Sequence, residues 1–327
     1  MKNGKLPSSL LEKLLENTQT ASDVILGPAI GYDAAKVKTF GKNFIIGGDP
    51  ITFRCENMGK YCVYVNANDI TVSGGIPKYF MATILLPTDT EEKETEILFE
   101  QVKSACKELN ISLIGGHTEI TDCVNRPVIS GTMIGEEVYN FQPRNTPINS
   151  QILLINKPAI EGTSIIAYWG QEYLKASGIS QDRINFALNL INTQGICVMP
   201  AGEELFKFDN VYYMHDPTEG GIASALWELS KAIGKGISVN NIEFMDETVE
   251  FCQTFGVDPF GLIASGSLLA VLEKGDYAAE KLNAMGYWAK VIGNVTGGMP
   301  NVLYKGQPMK TFQRDEIAVF FEKSEEI

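Results

Sequence analysis

Two histidines occur in 327 residues, and each stands in a short polar segment beside glycines. His117 lies in Gly115-Gly116-His117-Thr118-Glu119, and His215 opens His215-Asp216-Pro217-Thr218-Glu219-Gly220-Gly221. Adjacent glycines let a backbone approach a ligand closely. Hydroxyls and carboxylates next to them suit the holding of a metal ion or the orientation of a phosphate. Three aspartates extend the pattern: Asp33, Asp49 and Asp69 each sit beside small or apolar residues at the expected end of an element. One such aspartate is ordinarily an N-cap or turn former. Three of them followed by a glycine-flanked histidine make a constellation, since magnesium bound with phosphate needs only one or two carboxylates per ion. A neutral imidazole is a poor magnesium ligand but a fair partner for phosphate. The plain alternatives are two polar turns, with His215 bonded to a backbone carbonyl. Asp216 and Glu219 would then cap a helix starting near Gly220, where negative charge suits the dipole.

A net charge of −13 argues against a nucleic-acid partner, whose backbone wants Lys and Arg on the protein. If the ligand is a nucleotide, divalent cations must bridge protein carboxylates and phosphate oxygens. Hydrophobic content of 44% with 20% charged residues describes a soluble globular chain. Its longest apolar runs, such as Phe80 to Leu86, fall short of a membrane span. The start, Met1 to Lys5, shows no signal-peptide core, so the expected location is the cytoplasm. The six cysteines form no CxxC pair and match no zinc or disulfide framework.

The elements that must carry these residues are readable in outline. A chain of this length predicts two domains. The polar stretch 141–150 divides it into residues 1–145 and 146–327. Asn43 to Ile46 and Tyr79 to Leu86 read as strands. Thr88 to Leu109 is the clearest helix, with a Thr88/Glu91 capping box. Ile111 to Ile114 is a short strand that delivers Gly115-Gly116-His117 as a loop. Val211 to Met214 runs into His215-Asp216, and Gly220 to Ile233 is a helix with Ile222, Leu226 and Leu229 on one face. Tyr61 to Val65 has strand propensity by its β-branched and aromatic content, whereas the stretch after it could continue a helix.

Taken together, these segments resemble the superfamily of aminoimidazole ribonucleotide synthetase, selenophosphate synthetase, thiamine monophosphate kinase and the hydrogenase maturation factor that dehydrates a carbamoyl group. Gly31-Tyr32-Asp33-Ala34-Ala35 is similar to the family's Gly-acid-Asp-Ala-Ala motif. Gly47-Gly48-Asp49 sits where members have Thr-Thr-Asp. Asn68-Asp69-Ile70 and Ser73 to Pro77 are similar to its Asn-Asp-Leu-Ala segment. His215 to Gly221 most resembles the maturation factor. The resemblance implies an α/β (α+β) fold of two domains. The N-terminal one would bind ATP and form a homodimer through its sheet, and the C-terminal one would be an α/β sandwich. It implies that Tyr61 to Ser73 is helical. It also implies ATP between the domains, with magnesium on Asp33, Asp49 and Asp69. Asn68, Gly115, Gly116, His117 and Thr118 would line the nucleotide path, and Asp216 and His117 would be the catalytic candidates. The reaction implied is phosphorylation of a carbonyl, carbamoyl or phosphate oxygen of a small substrate, with an accessory maturation protein as partner.

Three departures bear on function. Tyr32 replaces an acidic residue, and Gly47-Gly48 removes two hydroxyls. The last cysteine is Cys252, whereas the maturation factor carries its carbamoyl group on a C-terminal cysteine. The expected activity is therefore an ATP-dependent enzyme similar in body to that factor. The alternatives are a non-catalytic nucleotide-binding or assembly protein, and a kinase similar to the thiamine monophosphate enzyme.

Overall fold

The computed structural model describes residues 22–26, 29, 32, 34–39, 41–52, 57–193 and 195–324. They divide into two compact units that separate at Asn140/Phe141.

The first unit is one sheet backed by two helices. Its strands are β1 (Val24–Leu26), β2 (Ala35–Lys38), β3 (Asn43–Gly47), β4 (Pro50–Ile51), β5 (Gly75–Leu86), β6 (Ser112–Ile120) and β7 (Val128–Glu137). The sheet order is β1-β2-β3-β7-β5-β6, with β4 also paired to β7. All pairings are antiparallel except β5 with β6. A parallel neighbour needs a crossover, and helix α2 (Glu92–Glu108) supplies it. Leu98, Val102 and Ala105 give α2 one buried stripe at helical spacing. Its capping box is formed by Glu91 and Glu94 rather than by Thr88 and Glu91, one turn later than expected.

Helix α1 (Met58–Val72) contradicts the local strand propensity of Tyr61 to Val65, as the family resemblance implied. It is buried almost all round, packed on α2 and on strands β5 and β7. A helix enclosed on every side needs no amphipathic pattern, and tertiary burial outweighs β-propensity here.

Strand β6 is a second correction. It does not stop at Ile114; it runs on through Gly115, Gly116 and His117 to Ile120. The pairing with β5 skips Ile114, since Phe80 pairs Leu113 and Met81 pairs Gly115. The glycines therefore mark a bulge within a strand, not its end.

The second unit is built on a mixed sheet, in the order β14-β13-β10-β12-β8-β11-β9. Its strands are β8 (Gln151–Ile155), β9 (Val211–His215), β10 (Ile237–Val239), β11 (Leu268–Leu272), β12 (Ala289–Val295), β13 (Val302–Tyr304) and β14 (Gln307–Pro308). Its helices are α3 (Ile160–Trp169), α4 (Gln171–Ala176), α5 (Gln181–Thr193), α6 (Met199–Leu205), α7 (Gly221–Ile233), α8 (Asp246–Phe255), α9 (Gly275–Ala284) and α10 (Glu316–Ser324). Ile222, Leu226, Leu229 and Ile233 form the buried stripe of α7 and pack on Ile152, Leu154, Leu269 and Val271 of the sheet. A separate apolar cluster joins α3, α5, α8 and α10 through Ile166, Ile184, Phe251 and Phe320.

Candidate functional site

In the first unit a residue the motifs did not single out ties Asp49 to the helix that carries Asn68 and Asp69. Asn66, fully buried on α1, grips the main chain of Asp49. Its Oδ1 accepts the Asp49 N–H at 2.9 Å, and its Nδ2 donates to the Asp49 carbonyl at 3.1 Å and to the Cys62 carbonyl at 2.7 Å. Asn66 and Asp69 are three residues apart on one helix, so they share a face. Asp69 thus sits about one turn along α1 from the residue that clasps Asp49. Asp69 is buried and Asp49 exposed. Asn66 carries no short motif of its own, because its partner lies 17 residues away.

The glycines around the clasp are set by packing. A Cβ on Gly48 would lie 2.7 Å from the Gly131 carbonyl oxygen, and one on Gly131 would lie 2.5 Å from Asn66 Nδ2. The close approach of β7 therefore leaves no room for a side chain at position 48. Asp33 lies outside the described residues. Among the described residues, no group of three or more His, Cys, Asp or Glu side chains is arranged to hold a metal ion. Asp49 and Asp69 could hold one only with help from Asp33, water or phosphate oxygens, which is the manner of magnesium.

His117 stands apart from this pair. Pro50 of β4 pairs Ser130, Ser130 pairs Thr83, and Thr83 pairs His117. One row across the sheet thus runs from the residue after Asp49 to His117. Three inter-strand steps separate them, ~14 Å. The imidazole is exposed, with Nε2 3.5 Å from Glu119 Oε2 on the same face of the strand. The two neighbouring glycines differ. A Cβ on Gly116, where φ is +145°, would sit 2.0 Å from the Ala82 carbonyl oxygen, so the sheet itself requires glycine there. A Cβ on Gly115 would meet nothing within 4 Å. Thr118 pairs Ile84 one residue further along this exposed edge.

In the second unit, β9 delivers His215 and Asp216, both buried, to the turn that starts α7. His215 Nε2 lies 2.9 Å from Glu228 Oε2, and its ring stacks on Tyr213 with centroids 6.2 Å apart. A carboxylate on α7 is thus one partner of His215. The carboxylate at the start of α7 is unexpected. It is Asp315, distant in sequence, that takes the Gly220 N–H, with Oδ2 at 2.6 Å. Burial pushes the Asp315 carboxyl up to about 7 against the pull of three backbone N–H donors. A second buried carboxylate, Glu161 in the first turn of α3, is pushed up to about 7 by burial while Ser265 hydrogen-bonds to it. Neither Asp315 nor Glu161 has a local sequence motif that would have marked it.

Burial takes three of the five described thiols out of play and leaves Cys123 exposed and Cys197 half-buried. Burial raises Cys62 far above the ordinary thiol value, Cys106 to about 11 and Cys252 to about 12. Cys55 lies outside the described residues.

Two family models match the chain: AIR synthase related protein, N-terminal domain, over residues 31–136, and the corresponding C-terminal domain over residues 198–305. A putative hydrogenase expression/formation protein of Methanocaldococcus jannaschii is 23% identical over 313 residues, covering 90% of this chain and 88% of that one. The carbamoyl dehydratase HypE of Rhizobium leguminosarum is 24% identical over 253 residues, covering 75% of this chain and 70% of its own. Among solved structures, AaThiL complexed with AMPPCP and TMP superposes with a TM-score of 0.71 at 18% identity, covering 92% of this chain and 93% of that chain. The HypE–HypF complex also gives a TM-score of 0.71, at 19% identity, covering 94% of this chain and 99% of that chain. Among the described residues no helix is long and apolar enough to cross a membrane. A two-unit mixed α/β fold of this pattern, matched in both halves, makes the chain a member of the AIR synthase-related protein family.

Proposed function

We propose that this protein is an ATP- and magnesium-dependent enzyme that activates a carbonyl, carbamoyl or phosphate oxygen of a small substrate by phosphorylation. The observation that carries the proposal is the Asn66 clasp, which ties the Asp49 main chain to α1 about one turn before Asp69. Two carboxylates so placed suit an ion that keeps several waters and binds the phosphates at the same time. Asp33 would complete the set. Asn68, Gly115, Gly116, His117 and Thr118 would line the phosphate path, and Gly115, whose missing side chain the packing does not explain, leaves room for that approach. Preorganised charge of this kind is the main source of rate in phosphoryl transfer. Asp216, in the second unit, would orient or deprotonate the accepting oxygen. The likeness to a carbamoyl dehydratase supports a carbamoyl-type substrate and a HypF-type accessory partner.

Calorimetry with Mg·ATP tests this directly. Wild-type protein should bind, and Asp69→Ala should bind at least about tenfold more weakly, a loss of ~1.4 kcal/mol. Equal affinity in the two proteins would remove Asp69 from the site. A kinase reading is favoured by the likeness to a protein complexed with AMPPCP and TMP, and ADP formation on adding thiamine monophosphate would select it.

The reading also includes a homodimer. Strand β6 is exposed along all nine residues and, among the described residues, pairs only with β5, so that no described strand covers its outer edge, where Leu113, Ile114 and Ile120 lie. Natural sheets seldom leave a long apolar edge uncovered. Ile114→Glu should convert a dimer to monomer in sedimentation; a wild type that is already monomeric at micromolar concentration would end this part of the reading.

A further inference from the structure

Asp315 is a buried carboxylate that joins three separate stretches of the second unit. Its Oδ2 accepts the Gly220 N–H at 2.6 Å, while Oδ1 accepts those of Ile263 at 3.1 Å and Ile317 at 2.7 Å. The bond to Ile317 is an ordinary N-cap of α10 and is local. The other two are not: Gly220 is 95 residues away and Ile263 is 52. A cap needs no burial, and a solvent-facing aspartate would stabilise the helix start as well. Asp315 is only 2% exposed, and ionising it there is opposed by desolvation. The arrangement is thus more than helix capping requires, and what it adds is the hold on Gly220 and Ile263.

Those two amides frame the turn that carries Asp216. Gly220 and Gly221 both have left-handed φ, +85° and +67°. A Cβ on Gly221 would lie 2.5 Å from the Phe260 carbonyl oxygen, so the start of α7 presses on the loop that holds Ile263. The Ala264 N–H donates to the Thr218 carbonyl at 3.1 Å, stitching the same loop to the middle of the turn. Glu316 Oε2 accepts the Asp258 N–H at 2.9 Å, and Lys323 donates to the Gly256 carbonyl at 2.5 Å. These last two bonds anchor α10 but do not touch the turn.

We infer that Asp315 is a positioning residue: its carboxylate holds the Gly220-Gly221 pair, and through it the Asp216 turn, in working geometry. The inference rests on the proposed function only in taking Asp216 as part of the working site. Asp315→Ser separates the two tasks of the carboxylate, because serine caps Ile317 but is too short to bridge to Gly220. Lys323→Ala loosens α10 without touching the carboxylate and serves as the comparison. Deuterium exchange on the full chain, read in a peptide spanning Asp216 to Ile222, should run about tenfold faster in Asp315→Ser and unchanged in Lys323→Ala. ATP hydrolysis by Asp315→Ser should lose about tenfold in kcat with KM for Mg·ATP within about threefold of wild type. Unchanged exchange in Asp315→Ser overturns the inference, as does equal acceleration in both variants, which would reduce Asp315 to general stability. Faster exchange with undiminished kcat upholds the positioning and instead removes Asp216 from the site. Asp315→Asn, nearly the same shape but with one oxygen replaced by a donor, gives the same exchange readout should the serine variant not fold.

Discussion

Glu161 makes the second unit less stable as pH rises, and Glu161→Gln isolates the effect. The residue is 3% exposed in the first turn of α3, and burial pushes it from 4.5 to about 7. The positive end of the helix favours its charge, and the Ser265 hydroxyl does too, yet desolvation outweighs both. The folded-state value lies above the unfolded one, so the folded chain holds the extra proton. The stabilisation is therefore fully present below about 4.5 and is lost as pH rises through about 7. Between about pH 5 and about pH 8 the group alone should remove ~2.5 kcal/mol from the unfolding free energy. Glutamine cannot titrate but fills the same space, so the difference between variant and wild type isolates Glu161 from every other group. The three tryptophans, Trp169, Trp227 and Trp288, all lie in the second unit, so their fluorescence in a denaturant titration reports this unit. The variant should gain ~2.5 kcal/mol relative to wild type on going from about pH 5 to about pH 8, or roughly 5–10 °C in Tm for a unit of this size. Parallel pH profiles for the two proteins would refute the reasoning, because they would mean that the carboxyl ionises as readily inside as outside.

Other substitutions test the first unit. Gly116→Ala should cost ~3 kcal/mol or more, since its Cβ would lie 2.0 Å from a backbone oxygen, whereas Gly115→Ala, with open space, should stay within about 0.5 kcal/mol; thermal denaturation of the pair checks both. Asn66→Ala leaves the buried Cys62 carbonyl and the Asp49 main chain without its side chain, and should cost ~2–3 kcal/mol and weaken Mg·ATP binding about tenfold by calorimetry. Thiol labelling of the native protein, mapped by mass spectrometry, should modify Cys123 early and Cys62, Cys106 and Cys252 only on unfolding, because burial suppresses their thiolates.

Patterns confined to one helix or strand were legible. The stripe Ile222, Leu226, Leu229 appears in α7 as the spacing predicts; along α2, of Ile97, Leu98, Val102, Ala105 and Leu109 at helical spacing, Leu98, Val102 and Ala105 are buried and Ile97 is exposed. What failed did so where a local signal has two meanings. The glycine pair before His117 reads equally as the end of a strand or as a bulge within it, and the Ile114 bulge against β5 selected the second. Tyr61 to Val65 reads as strand until burial on all sides is known, and only the family resemblance gave the helix. The capping box slid by a turn because threonine and glutamate recur at compatible spacings around residue 90.

The motif residues stood out because they are rare types in unusual company; the residues that hold them in place do not. Asn66 grips Asp49 across 17 residues, and Asp315 grips Gly220 across 95. Separation matters because a bond to a neighbouring amide leaves a short pattern, such as a capping box, while a bond across the fold leaves none. Burial supplies the remaining clue, since a polar side chain enclosed in protein must find partners or cost stability. Asn66, Glu161 and Asp315 are all enclosed, and each reaches a loop or turn beyond its own helix. Loops ordinarily move more than the scaffold around them. A buried acceptor that fixes a loop from behind leaves its outward side free for a ligand. The same geometry explains why Gly48, Gly131 and Gly221 admit no side chain: the clasped segments approach their neighbours so closely that a Cβ at any of them would fall within 2.7 Å of another atom.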